Sequence, residues 1–190
     1  MYDAVTDAYC YEGTRVLKNK LNLIDQSTLD MFESAMTTQR SDEPLPSGVL
    51  DVAHYRGIHR HLFQDVYEWA GEWRTVRISK DGSAFCYPEY IEREMKALFG
   101  GLQQENYLVG RSSDEFVNKA AHFLSTLNAI HPFREGNGRT QTSFLLLLAD
   151  NALHPLDLTK LVPERFMDAM VASFEKNETQ LVLELRGLLK

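Results

Sequence analysis

The fold class this sequence predicts is an all-α bundle with one protruding β-hairpin, on three observations. Apolar residues recur at helical spacing in most segments of the chain. Only Arg74 to Pro88 alternates with a period of two around an Asp-Gly turn. The segments between are short and carry helix start and stop residues.

In order along the chain, residues about 13–20 and 26–36 have a helical pattern, followed by the connection TTQRSDEPLPSG, Thr37 to Gly48, with two prolines. Tyr55, Ile58, Leu62, Val66 and Trp69 predict a helix over about 49–69, ended by Ala70-Gly71. RTVRISKDGSAFCYP sets Val76 and Ile78 against polar neighbours, turns at Asp81-Gly82 and resumes at Phe85 and Tyr87, which predicts the hairpin. Ile91, Met95 and Leu98 mark a helix with Pro88 near its start and Gly100-Gly101 past its end. Phe116, Ala120, Phe123, Leu124 and Leu127 mark another, with Ser113 as N-cap and Asp114 and Glu115 at the positive end of its dipole. Residues 140–150 are apolar over most of their circumference, which predicts a helix packed on every side. Phe166, Met170 and Phe174, then Leu181, Leu185 and Leu188, add two more.

The bulk numbers exclude several classes. The 190 residues are 44% hydrophobic and 25% charged, near the average for a globular domain large enough to need no staples. Cys10 and Cys86 are the only cysteines, and their separation suits neither a disulfide framework nor a zinc site. The net charge of −7 argues against general nucleic-acid or membrane binding. No apolar run approaches a membrane span, and no signal peptide is expected from MYDAVTDAY.

The chemistry concentrates in HPFREGNGRT, His131 to Thr140. Pro132 disfavours continuation of the preceding helix. Glu135-Gly136-Asn137-Gly138 then forms a short turn aimed at the N-terminus of the buried helix. Glycines let the backbone approach a ligand closely. The first-turn N–H groups and the helix dipole make an anion site, above all for phosphates. Arg139 adds a planar fork of donors. Glu135 would repel a phosphate unless a cation lies between them, which points to Mg²⁺. His131 can take a proton from a hydroxyl near neutral pH. Together these groups suit transfer from a nucleotide to a hydroxyl. His54, His59 and His61 stand two or more residues apart without a shared ligand geometry, so no metal site is expected there. Trp69 and Trp73 are expected to pack, and Cys86 to be a strand residue.

HPFREGNGR resembles the signature of the Fic family, HxFx(D/E)GNGRxxR, at His131, Phe133, Glu135, Gly136, Asn137, Gly138 and Arg139. The resemblance extends over roughly residues 50–150 through IHRHLFQDVYEWAGEWRTV and the hairpin. It implies a Fic-type bundle over 49–190, with 1–48 as an N-terminal helical segment and connection, and a flap at about 74–88. It further implies protein adenylylation: AMP moves from ATP to a Tyr, Thr or Ser hydroxyl, with His131 as base and Glu135 holding Mg²⁺ against the phosphates. Gly136, Asn137, Gly138, Arg139 and Thr140 would form the nucleotide cradle, and Phe133 the loop's anchor. The flap residues Lys80, Asp81, Gly82, Ser83, Ala84 and Phe85 would receive a target segment as an added strand. Action in a bacterial cytoplasm, or after delivery into a host cell, fits the resemblance.

Two departures matter. Thr142 stands where the last motif arginine should be, so a different donor, or an interaction module with weakened chemistry, remains an alternative. The family's inhibitory motif (S/T)xxxE(G/N) has no match: Ala8 precedes Glu12-Gly13, and Asn177 follows Ser173. Inhibition would come from a separate small antitoxin-like protein or be absent.

Overall fold

The computed structural model describes residues 7–80 and 83–190. Seven α-helices are present among them: α1 (Gln26–Ser41), α2 (Val52–Phe63), α3 (Pro88–Gln104), α4 (Ser113–Ile130), α5 (Asn137–Asn151), α6 (Pro163–Phe174) and α7 (Thr179–Leu188). Between α2 and α3, β1 (Ser79–Lys80) pairs antiparallel with β2 (Ser83–Ala84). None of the described helices is long and apolar enough to cross a membrane.

The helices start where side chains satisfy the first N–H groups. Asp25 accepts from Thr28 N–H, and Asp51 accepts from His54 N–H. Pro88 sits in the first turn of α3, where a missing N–H costs nothing. The α4 cap is Ser112 rather than the expected Ser113, and it forms a reciprocal capping box with Glu115. Central α4 packs against α3, α5, α6 and α7, and α2 packs against α1 and α5. The core is rich in rings: Tyr55 meets Phe99, Phe133 and Phe144 at centroid distances of 5.6 Å each. Leu29 of α1 and Leu17 of the preceding segment are buried in this same core, so residues before 49 are built into the bundle.

Four sequence expectations need correction. Residues 13–20 are not helical: Cys10 bridges to Leu17, and the Asn19 side chain bonds Leu17 O, Leu23 O and Leu23 N–H. Those local side-chain bonds replace a helical ladder. The helix expected over about 49–69 stops at Phe63, since Gly71 N–H turns to His59 Nδ1 and Lys20 N–H takes Val66 O. Conversely, α3 runs through Gly100 and Gly101 to Gln104, carried by the buried Phe99 and Leu102. The hairpin is far shorter than 74–88, because Val76 O and Cys86 O bond to the Arg74 side chain and Cys86 N–H to Ala129 O. Its expected tip, Asp81-Gly82, lies outside the described residues.

Candidate active site

The α4–α5 connection is held by its own side chains. His131 ends α4 in the left-handed region, φ 49° and ψ 63°. Its Nδ1 lies 3.2 Å from Asn128 O. A carbonyl only accepts, so Nδ1 carries the proton and Nε2 is the basic nitrogen. The imidazole is stacked on Phe85 at 4.0 Å and 22°. Phe133 is fully buried and stacks on His59 at 3.7 Å.

Gly136 is the N-cap of α5, with φ 79° and no side-chain cap. A β-carbon there would collide with the Phe63 ring as well as strain the backbone, so only glycine fits. Among the described residues nothing lies within 4 Å of where a β-carbon at Gly138 would be, so the turn is open at that position. The first-turn N–H groups of a helix have no acceptor within it. An uncapped helix N-terminus facing open space is an anion site.

Two side chains of the expected nucleotide cradle are hydrogen-bonded within the loop. The Asn137 amide is buried and clasps Phe133, accepting from its N–H at 3.0 Å and donating to its O at 2.8 Å. Thr140 is fully buried and donates to Gly136 O at 2.9 Å. Both side chains therefore hold the turn in shape. Thr142 donates to Gly138 O at 3.0 Å, one helical turn back, as its spacing suggests.

Glu135 is half-buried, with Oε1 accepting from Gly136 N–H at 2.9 Å. Burial first, and the nearby Glu33 carboxylate with it, push the Glu135 carboxyl above the ordinary range despite the Gly136 hydrogen bond. A cation beside it would favour the ionised form. Arg139 is exposed, but its guanidinium is engaged: Nη2 pairs with Glu33, Nη1 donates to Thr37 Oγ1 at 2.9 Å, and the group lies over the Phe63 ring at 4.8 Å. Tyr67 O–H also donates to Glu33.

Sequence reasoning missed three residues here. Glu33 is one. His59 is another: Nδ1 accepts from Gly71 N–H at 2.8 Å, so Nε2 carries the proton and donates to Glu135 O at 3.0 Å. The third is Arg134, only 3% exposed, whose Nε and Nη2 donate to Asp7 Oδ2 at 2.9 and 2.6 Å. Burial alone would raise the Asp7 pKa, but the Arg134 hydrogen bonds and charge outweigh it and leave it lowered. Their partners lie far off in sequence, so no local spacing signals them. His54 and His61 also bond backbone carbonyls, Pro46 O and Arg40 O. No group of three metal-ligating side chains occurs among the described residues.

Burial pushes the His59 pKa down to about 3. Its folded pKa lies below the unfolded value, so the unfolded chain takes up the proton first. The contribution is complete above roughly pH 6.5 and falls by up to about 1.4 kcal/mol per pH unit as pH drops toward the folded value. Denaturant titrations from pH 8 to pH 4 should show a shallower pH dependence for His59→Gln than for the native chain. Parallel curves would refute the assignment.

The helical bundle and a glycine turn between a histidine and an arginine define a Fic-type protein. Residues 49–149, more than half of the chain, match the Fic/DOC family model, and the chain belongs to that family. A Sinorhizobium fredii protein named probable protein adenylyltransferase y4lH is 52% identical over 189 residues, covering 99% of this chain and 98% of that protein. The Escherichia coli probable protein adenylyltransferase Fic is 37% identical, over 86% of this chain and 82% of its own. Among solved structures, the Bartonella tribocorum effector BepC with bound AMPPNP superposes with a TM-score of 0.84 at 28% identity, covering 96% of each chain.

Proposed function

We propose that this chain is a protein adenylyltransferase that moves AMP from ATP to a Tyr, Thr or Ser hydroxyl of a target protein. The observation that carries the reading is the uncapped α5 N-terminus opening onto free space, directly after a histidine whose Nδ1 proton is fixed. The names of the relatives and the AMPPNP in BepC support it.

In this reading the first-turn N–H groups of α5 hold the phosphates. The target hydroxyl loses its proton to His131 Nε2 as its oxygen attacks the α-phosphorus. The new O–P bond forms while the bond from that phosphorus to the bridging oxygen breaks, and pyrophosphate departs with that oxygen. Mg²⁺ fits Glu135, a half-buried carboxylate at the phosphate turn, because this ion is usually held by one or two carboxylates plus phosphates. When bound, it would offset charge between the carboxylate and the phosphates. Residues 80–85 would receive the target segment through main-chain hydrogen bonds, a mode tolerant of varied sequences. A separate small inhibitory protein completes the proposal, since no inhibitory motif is present in the chain. Intact-mass and fragment spectra of proteins incubated with the enzyme and ATP test the reading. It requires one AMP added at a hydroxyl side chain; a phosphate or uridylate adduct, or none, overturns it.

Glu33 qualifies how the phosphates enter. Its carboxylate holds the guanidinium that a β-phosphate would claim. Replacing it by glutamine keeps a hydrogen-bonding group and removes the competing charge. The pair is partly exposed, so a gain of ~1 kcal/mol, roughly fivefold tighter ATP binding, is expected for Glu33→Gln. Calorimetry checks this. Unchanged or weaker binding would make Glu33 a support for Arg139 rather than a competitor.

A further inference from the structure

The C-terminus of α4 is closed first by His131 and then by the hairpin stem. Helices leave their last carbonyls without intrahelical donors. Here Leu127 O accepts from His131 N–H at 3.0 Å and Asn128 O from the His131 ring. The next four carbonyls all go to residues 74–86. Ala129 O accepts from Cys86 N–H at 3.1 Å, Ile130 O from Arg74 Nη2 at 3.2 Å, His131 O from Arg74 Nε at 2.8 Å, and Pro132 O from Arg74 N–H at 2.9 Å. The same guanidinium reaches Val76 O through Nη1 at 2.8 Å and Cys86 O through Nη2 at 2.5 Å. Arg74 is 1% exposed, so these bonds form out of contact with water, where they are strongest. Above this clamp, Phe85 directly follows β2, lies flat on the His131 imidazole and is backed edge-on by Phe174 at 5.6 Å.

We propose that Arg74 is a positioning residue that locks the target-receiving hairpin to the general base. Its one guanidinium binds both stems of the hairpin and the two carbonyls that flank the turn into His131. It rests on the adenylyltransferase reading for its consequence, though not for its geometry. A target segment paired to the hairpin is thereby held in fixed register to the imidazole. The left-handed backbone of His131, which costs about 1–2 kcal/mol for a residue with a β-carbon, is stabilised by the bond from Arg74 to its carbonyl. Lysine cannot replace that fork, because one ammonium cannot reach four carbonyls in a plane.

The test compares the full-length native chain with Arg74→Lys and Phe85→Leu, using ¹⁵N-histidine labelling with His131→Ala to assign the signal. In the native chain, the His131 ring should show a single Nδ1–H tautomer. Arg74→Lys should mix the tautomers, and amides of residues 84–86 should exchange at least tenfold faster. Label transfer from ATP should fall at least ~tenfold in kcat, the scale of a small misplacement, with ATP affinity unchanged. Phe85→Leu leaves the clamp in place but removes the stack, so it decides the ring arm if Arg74→Lys does not fold: its His131 tautomers should also mix. A folded Arg74→Lys protein with native His131 signals, native exchange and native kcat would overturn the proposal, as would an unchanged ring in Phe85→Leu. If the native chain transfers no AMP, the adenylyltransferase reading fails, while the ring and exchange arms still decide the role of Arg74.

Discussion

Replacing His131 by alanine is expected to slow AMP transfer at least ~10²-fold, the lower end of a general-base contribution. The imidazole has the tautomer that the proposed reaction needs, because the Asn128 carbonyl can only accept from Nδ1. Alanine removes the base, the ring's bond to Asn128 O and the stack on Phe85, but none of the bonds made by the backbone of residue 131. The loss of stability should therefore stay within the ordinary range of ~1–2 kcal/mol, and ATP affinity should be native. Single-turnover transfer at saturating ATP separates these effects. Equal rates in the two proteins would remove His131 from the chemistry.

The largest expected loss of stability comes from Asp7→Ala. Asp7 and Arg134 are both largely buried, and the pair ties the segment before α1 to the residue between Phe133 and Glu135. Removing the carboxylate takes an ion-pair partner from a buried guanidinium, which is expected to cost about 3 kcal/mol. For a chain of this size that is a fall in Tm of roughly 10 °C. Removal of an exposed partner, as in Glu92→Ala beside Lys96, should leave stability almost unchanged. Thermal melts of the two variants check the contrast. A drop in Asp7→Ala no larger than in Glu92→Ala would show that the strap contributes nothing to the loop.

Those two residues also mark what a sequence can disclose. His131, Gly136 and Arg139 are legible because nine contiguous residues hold an imidazole, a carboxylate, glycines and a guanidinium in order. Helices α4, α6 and α7 are legible because their buried residues repeat at the helical period. The partners of the site are not. Asp7 meets Arg134 across 127 positions, Glu33 meets Arg139 across 106, and His59 meets Glu135 across 76. No periodicity encodes such contacts. Asn137 and Thr140 point inward for a related reason: the motif's spacing places them at the turn, but the packing of Phe133 and Gly136 decides which way their side chains face. The shortened hairpin belongs here too, since Arg74 takes carbonyls that a longer ladder would have used.

This turn is expected to transfer the adenylyl part of ATP. The most direct measurement incubates the chain with a mixture of proteins and ATP carrying separate labels on the α- and γ-phosphates, with His131→Ala as control. The α-label should become covalently attached to protein, the γ-label should leave in pyrophosphate, and His131→Ala should attach neither. Covalent γ-label without α-label, or α-label attached equally by the His131→Ala protein, would contradict it.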